Sequence, residues 1–396
     1  MADPINPKPS RISDGGSPTL GIPFATDPAT LERVFGTSAP LLPLWVAEPD
    51  LPLSPAIIAA VQERANSGWY GYEARPAALQ DAFQTWTQTR HGWATKDLHV
   101  SLSPSVGTSI GVLLDLVTAT GDAVILQPPV FTDFKPLVTS RSREVLRNAL
   151  LETGGAYRMD LDDLARLVAG PSARALVLCN PHNPVGRAWS EQELRDLAQL
   201  CAAHDVTVIA DEIHADLALP GHTWTPFAKA AEGTGVRWAA LHGPIKTFGL
   251  AGLCDTLVLT DDADLHDRFE AVSGRLHLTR NNVLGLAAMQ AAYEQSGPWL
   301  DQFLWQVADN LAVLRERLPS PLRLVEPEAT YLAWIDFREL ALDVPALARW
   351  LVSAGLALSP GHWFGREGAG FARMTVAVPT ERIHEAMDRL SGAMSD

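Results

Sequence analysis

Short, mostly apolar runs alternate along the chain with longer stretches whose apolar positions recur at helical spacing. The runs lie at 98–102, Ala123–Leu126, Ala173–Cys179, 206–210, Trp238–His242 and 256–259. Runs this short suit strands buried on both faces of a mostly parallel sheet, where the usual polar alternation is lost. Between them lie helix-length pieces such as Glu191–Ala203, and two more, Pro55–Asn66 and 77–90, precede the first run. Alternation of this kind predicts an α/β fold with helices on both faces of the sheet.

Near residue 290 the pattern changes. Helical stretches at 281–295 and 299–318 give way to strands at 330–337 and 373–378, then to a closing helix at 380–392. Residues 1–50 hold many Pro and Gly and read as an irregular arm. The expected division is a large α/β domain (51–290) and a smaller α+β domain (291–396), which the arm (1–50) joins. No fixed-period repeat or low-complexity tract breaks this order.

Composition narrows the partners. With a formal charge of −15 and 47% hydrophobic residues, the 396-residue chain is that of an ordinary globular protein. Nucleic acid and anionic membranes select basic surfaces, so neither is an expected partner. The N-terminus lacks the cationic start and apolar run of a signal peptide, and no uninterrupted apolar stretch approaches about 18 residues. Cys179, Cys201 and Cys254 are odd in number and widely spaced, which fits reduced thiols in a cytoplasm and no metal site. Only five residues are lysines: Lys8, Lys96, Lys135, Lys229 and Lys246. Chemistry that needs an amine therefore has few candidates.

In open α/β sheets ligands bind beyond the carboxyl ends of the strands. After the first run comes Ser103-Pro-Ser-Val-Gly-Thr-Ser, opening a helix that is expected to reach Val117. Small residues at a helix start expose backbone N–H groups and the positive dipole end, a usable phosphate site, although Ser and Thr also cap helices with no ligand. After Ala173–Cys179 comes Asn180-Pro-His-Asn-Pro-Val-Gly-Arg187, whose two Asn-Pro steps fix a turn able to orient the Asn183 amide. Asp211-Glu-Ile-His214 follows the next strand, where a buried carboxylate needs a cationic partner. Gly243-Pro-Ile-Lys246-Thr-Phe-Gly-Leu-Ala-Gly-Leu253 follows the one after. There, desolvation would favour the neutral, nucleophilic amine of Lys246. Pyridoxal phosphate needs each of these groups: a lysine for its aldehyde, a carboxylate for its ring nitrogen, a donor for its ring oxygen and N–H groups for its phosphate.

In this ordered set the chain resembles the fold-type I pyridoxal-phosphate enzymes of the aminotransferase class I/II superfamily. Asn183 and Asp211 stand 28 residues apart, and Asp211 and Lys246 stand 35 apart. Within the superfamily it is most similar to the cystathionine β-lyases (carbon–sulfur lyases). The similarity is carried by Pro43-Leu-Trp-Val-Ala-Glu-Pro-Asp50, Gly71-Tyr72, Asp211-Glu-Ile-His214, Thr330-Tyr-Leu-Ala-Trp-Ile-Asp-Phe-Arg338 and Arg373-Met-Thr-Val-Ala. The resemblance implies that Lys246 carries the cofactor and moves the Cα proton. It implies that Asp211 pairs with the ring nitrogen, that Asn183 bonds the ring oxygen, and that His214 also belongs to the cofactor site. Val106, Gly107 and Thr108 would bind the phosphate, and Phe131 would stack on the ring. Tyr72 would reach the site of a neighbouring subunit, so the active unit would be a homodimer with shared sites. Arg373 would grip the carboxylate of an amino-acid substrate.

The chain also departs from the family pattern. Gly243-Pro-Ile245 stands where serines usually precede the lysine, and Cys254 stands where a basic residue often follows it. Phe131 replaces a tyrosine, and Ala47-Glu-Pro-Asp50 replaces Ala-Asp-Met-Asp. The expected reaction is β-elimination from cystathionine or another cysteine S-conjugate, giving thiol, pyruvate and ammonia. Transamination between an amino acid and a 2-oxo acid is the alternative, as is a specialised biosynthetic reaction on a cysteine conjugate. Trp45, His362, Trp363 and Phe364 are candidates for the side-chain pocket.

Overall fold

Both-face burial places seven strands in one sheet, in the order His99–Ser103, Thr256–Thr260, Trp238–His242, Thr207–Asp211, Ala173–Cys179, Ala123–Leu126 and Glu144–Arg147. Thr256–Thr260 runs antiparallel to both its neighbours, and every other pairing is parallel. The computed structural model describes residues 22–74, 76–279 and 282–395. Part of the expected arm, residues 1–21, and the expected helix start at 281 lie outside the described residues.

Along Ala173–Cys179 the side chains alternate between two cores. Ala175, Val177 and Cys179 join the cluster built with Ile110, Leu114 and Phe269, while Leu176 and Leu178 join the larger cluster with Leu194, Leu197 and Phe227. Neither face of the strand meets water, which is why its sequence is almost continuously apolar. The six strands expected from the pattern appear within a residue or so of their expected bounds. Glu144–Arg147, at one of the two edges of the sheet, went unforeseen because its partly exposed Glu-Val-Leu-Arg carries no strong apolar signal.

A second, antiparallel sheet holds Arg323–Val325, Leu332–Asp336, Phe371–Thr375 and Ser359–Pro360. Helix Gly297–Arg317 is tied to it through Asn310, whose Nδ2 donates to the carbonyls of Val376 and Val378 (2.8 Å each). The arm is less irregular than its composition implies. Helix Pro28–Phe35 forms between an Asp27 cap, which accepts from Thr30 N at 2.9 Å, and a left-handed Gly36. Leu42–Pro43 then pairs in parallel with Leu356–Ala357, and Asp50 N donates to the Ala377 carbonyl (2.8 Å). These bonds fasten residues 42–50 to the C-terminal segment, beside the carboxyl ends of the large sheet.

Candidate active site

Register brings the motifs together. Cys179 is level with Asp211, and Asp211 with Leu241, so the turns after three parallel strands open on one edge. His99–Ser103 ends on the same edge, because its antiparallel neighbour begins there with Thr256. Helix Val106–Val117 starts at that edge, and the turn holding Lys246 follows Trp238–His242.

Lys246 Nζ donates to the Ala47 carbonyl at 3.0 Å, and the Tyr331 hydroxyl donates to the same oxygen at 3.1 Å. Burial, reinforced by the charge of Arg373, lowers the lysine pKa, while Glu48, Asp211 and Asp133 pull it the other way. Asp211 is 5% exposed and accepts from Ile213 N at 3.2 Å. Burial pushes its pKa up to about 6, against the opposing pull of that hydrogen bond and of Lys246. A cation placed against Asp211 would restore its charge. His214 is buried, its Nδ1 has no partner among the described residues, and desolvation holds its pKa at about 3. It is a neutral ring with one polar atom unused.

Arg373 was expected to begin a strand, but it lies inside Phe371–Thr375 and is buried. Nη1 donates to Asn183 Oδ1 (3.0 Å), and Nη2 to the Trp45 carbonyl (2.8 Å) and to Ser359 Oγ (3.3 Å). Its face lies over the Phe364 ring at 4.8 Å, and Nε has no partner among the described residues. Burial brings its pKa down to about 10, so it remains charged at neutral pH. With Oδ1 turned to this guanidinium, Asn183 presents Nδ2 as its donor.

The two asparagines of the Asn-Pro turn divide their work. Asn180 Nδ2 donates to Glu212 (2.9 Å) and to the Thr225 carbonyl (2.9 Å), so it builds the turn. Glu212 is fully enclosed and also accepts from Phe227 N (2.8 Å) and His242 Nε2 (2.9 Å). His182 Nε2 donates to the Pro129 carbonyl at 2.9 Å, which ties the turn to the segment bearing Phe131.

At the helix start, Ser105 Oγ accepts from Thr108 N at 3.1 Å and meets the Thr108 hydroxyl at 2.9 Å. The cap therefore occupies the Thr108 N–H, leaving the Val106 and Gly107 N–H groups that helix geometry cannot pair internally. A Cβ at Gly107 would meet nothing closer than Ser105 Oγ at 4.0 Å, so space is open there. Gly243-Pro-Ile245 offers no hydroxyl, and the buried Cys254 thiol donates to the Gly285 carbonyl at 3.6 Å. Phe131 is half-buried and meets Phe134 edge-on at 5.5 Å. Tyr72 stands apart from this cluster, 84% exposed.

Sequence reasoning did not single out Tyr331, Ser359, Glu48 or the carbonyls of Trp45 and Ala47. Tyr331 and Glu48 stood within quoted segments, but backbone carbonyls leave no sequence signal. Thr330, just before Tyr331, holds φ at +73°, a strained value for a β-branched residue. Such strain persists only where surrounding contacts impose it. No helix among the described residues is long and apolar enough to cross a membrane. No group of three or more His, Cys, Asp or Glu among them is placed to hold a metal ion.

The donor set fits a phosphate-bearing cationic ring: a buried carboxylate short of a cation, an unpaired imidazole nitrogen, a fixed amide donor, free helix N–H groups and a dry lysine. Comparison with known proteins agrees. The family model for aminotransferase class I and II matches residues 39–390. Cystathionine β-lyase PatB of Bacillus subtilis is 37% identical over 92% of this chain and 95% of its own length. Protein MalY of Escherichia coli is 31% identical over 91% of this chain and 93% of its own. Among solved structures, cystalysin of Treponema denticola, which contains a pyridoxal 5'-phosphate cofactor, matches with a TM-score of 0.87. It is 28% identical, covering 90% of this chain and 91% of that one.

Proposed function

The chain belongs to the aminotransferase class I and II family, and from that premise we propose that it is a pyridoxal-phosphate-dependent carbon–sulfur lyase. It takes cystathionine or another cysteine S-conjugate and, with one water, gives a thiol, pyruvate and ammonia. The observation that carries the reading is the convergence of Lys246, Asp211 and Arg373 in one buried place, in a chain whose relatives are named cystathionine β-lyases.

Pyridoxal phosphate, when bound, supplies an electron sink for the charge left at Cα once its proton is removed. Lys246 Nζ would hold the aldehyde and, when released by the substrate amine, take the Cα proton. Its lowered pKa raises the fraction of neutral amine at working pH. Asp211 would face the ring nitrogen and keep it protonated. Asn183 Nδ2 would donate to the ring oxygen, with His214 as a neutral neighbour, and Phe131 would cover one ring face. The N–H groups of Val106 and Gly107, with the Thr108 hydroxyl, would take the phosphate. Arg373 would hold the substrate carboxylate through its charge and through Nε, the guanidinium donor without a partner among the described residues. Its tie to Asn183 couples carboxylate binding to the amide that orients the ring.

The working unit in this reading is a cytoplasmic homodimer with shared sites. Trp69, Tyr70 and Tyr72 form an exposed aromatic stretch of the kind that marks an interface, and the partner subunit's Tyr72 would complete the phosphate site. Division into the arm (1–50), the cofactor domain (51–290) and the small domain (291–396) follows the same scheme, with the site at their junction. The arm's carbonyls at Trp45 and Ala47 already meet Arg373 and Lys246.

Cofactor-loaded enzyme given cystathionine or an S-alkylcysteine should release pyruvate and thiol in equal amounts without an added 2-oxo acid. Lys246→Ala should lower that rate by at least about a thousandfold and abolish the visible absorbance of protein-bound cofactor. Turnover that depends on a 2-oxo acid and yields no pyruvate would replace the lyase with an aminotransferase.

A further inference from the structure

A cleft of about 360 Å³ opens between the segment after Ala123–Leu126 and the loop at 361–368. Two of its walls touch the site. Phe131 lines it, and the neighbouring Asp133 is close enough to Lys246 for its charge to act there. Phe364 lines it too, with its ring against the Arg373 guanidinium. The cleft is thus one aromatic ring away from the group assigned to the substrate carboxylate.

Its outer part is basic, in a chain that carries −15 overall. Lys135, Arg147 and Arg366 line it, against two nearby carboxylates, Glu367 and Asp133, the latter accepting from the lining Thr132 hydroxyl at 3.0 Å. Arg147 is paired with Glu367, its Nε lying 3.3 Å from Oε1. Arg366, 84% exposed, reaches the same Oε1 only at 3.4 Å. Lys135 makes no ion pair among the described residues. The loop is shaped for this arrangement. A Cβ at Gly365, where φ is +122°, would stand 2.9 Å from Glu367 Oε2, 3.0 Å from Pro128 and 3.1 Å from Arg147. Glycine there lets the loop lie against Pro128 and hold Arg366 over the cleft mouth.

We propose that this cleft receives the sulfur substituent of the substrate and that Lys135 and Arg366 recognise an anionic group at its end, an inference that rests on the lyase reading above. Cystathionine, whose leaving thiol carries a carboxylate, already belongs to the substrates such a subsite would favour; what the cleft adds is the assignment of Lys135 and Arg366 to that charge. Apolar walls take the alkyl part, and the two cations take the charge.

The test compares S-(2-carboxyethyl)cysteine with its uncharged carboxamide on cofactor-loaded enzyme and on the Lys135→Gln/Arg366→Gln variant. Both substituted side chains lie at the surface, so the fold is not at stake. Wild-type enzyme should favour the carboxylate by about tenfold in kcat/KM, and in the variant the ratio should fall toward one. A wild-type ratio near one, or a preference that survives in the variant, would overturn the subsite while leaving the lyase intact. If neither these compounds nor cystathionine yields pyruvate, the lyase reading fails, and binding decides the subsite separately. S-(carboxymethyl)homocysteine and its amide, which have no sulfur on the β-carbon to expel, would be titrated by the cofactor's absorbance. Carboxylate binding about tenfold tighter, lost in the variant, upholds the subsite; equal affinities end it.

Discussion

Arg373 holds together an amide, a backbone carbonyl and a serine hydroxyl while remaining available to a ligand through Nε. Lysine would keep the charge but not the fork, and one of the three partners would be left unpaired. Arg373→Lys should raise KM for the amino-acid substrate by about ten- to a hundredfold with a smaller change in kcat, read from steady-state pyruvate release. Buried titratable groups also set an acid limb. His214 at about 3 and His182 at about 4 stay neutral in the native state, whereas in the unfolded chain they bind protons below about 6.5. Stability is therefore lost as pH falls through that window, by up to about 1.4 kcal/mol per pH unit for each histidine. Asp211 acts oppositely: its native carboxyl, at about 6, holds a proton that the unfolded chain has released, so acidification toward pH 4 returns stability. The two histidines outweigh the one carboxyl. In cofactor-free protein, His214→Gln should flatten the slope of stability against pH, measured by urea unfolding, by about one proton's share between about pH 4 and 6.5. An unchanged slope would show that His214 is not held neutral.

Between elements, close approach decides the geometry around the lysine. A Cβ at Gly285 would stand 2.2 Å from the Leu253 carbonyl, where helix Val283–Gln295 abuts the turn that carries Lys246. Gly285→Ala should cost about 2–3 kcal/mol of stability in denaturant unfolding and weaken cofactor binding in titrations by displacing that turn. Ser105 caps helix Val106–Val117, and Ser105→Ala should cost about 1 kcal/mol and lower phosphate affinity. Elements with a strong local pattern were legible: Glu191–Ala203 has its capping box Ser190/Glu193, and Ala173–Cys179 its continuous apolar run. Pro28–Phe35 was not, because a helix of eight residues has little periodicity and its Asp-Pro start also reads as a turn.

For the whole molecule, the proposed homodimer would cover the exposed Tyr72. Light scattering should give twice the chain mass. Tyr72→Phe should weaken pyridoxal phosphate binding by about tenfold with the dimer retained. A monomeric active enzyme would remove Tyr72 from the site. The acidity that first argued against nucleic acid is unevenly spread, with a basic cleft beside the site and buried acids behind it.

By itself the sequence determined six of the seven strands of the large sheet and the order of the chemical motifs, and it singled out one lysine as the candidate. Burial on both faces leaves a local apolar record, and a lysine among glycines and apolar residues can be read where it stands. Only the tertiary structure decided that Ala47 O meets Lys246 across 199 residues and that Arg373 meets Asn183 across 190. It also decided that the two asparagines serve different ends. Those contacts are made by a sheet edge, an arm and a C-terminal strand packing together, and no single segment encodes a partner so far along the chain.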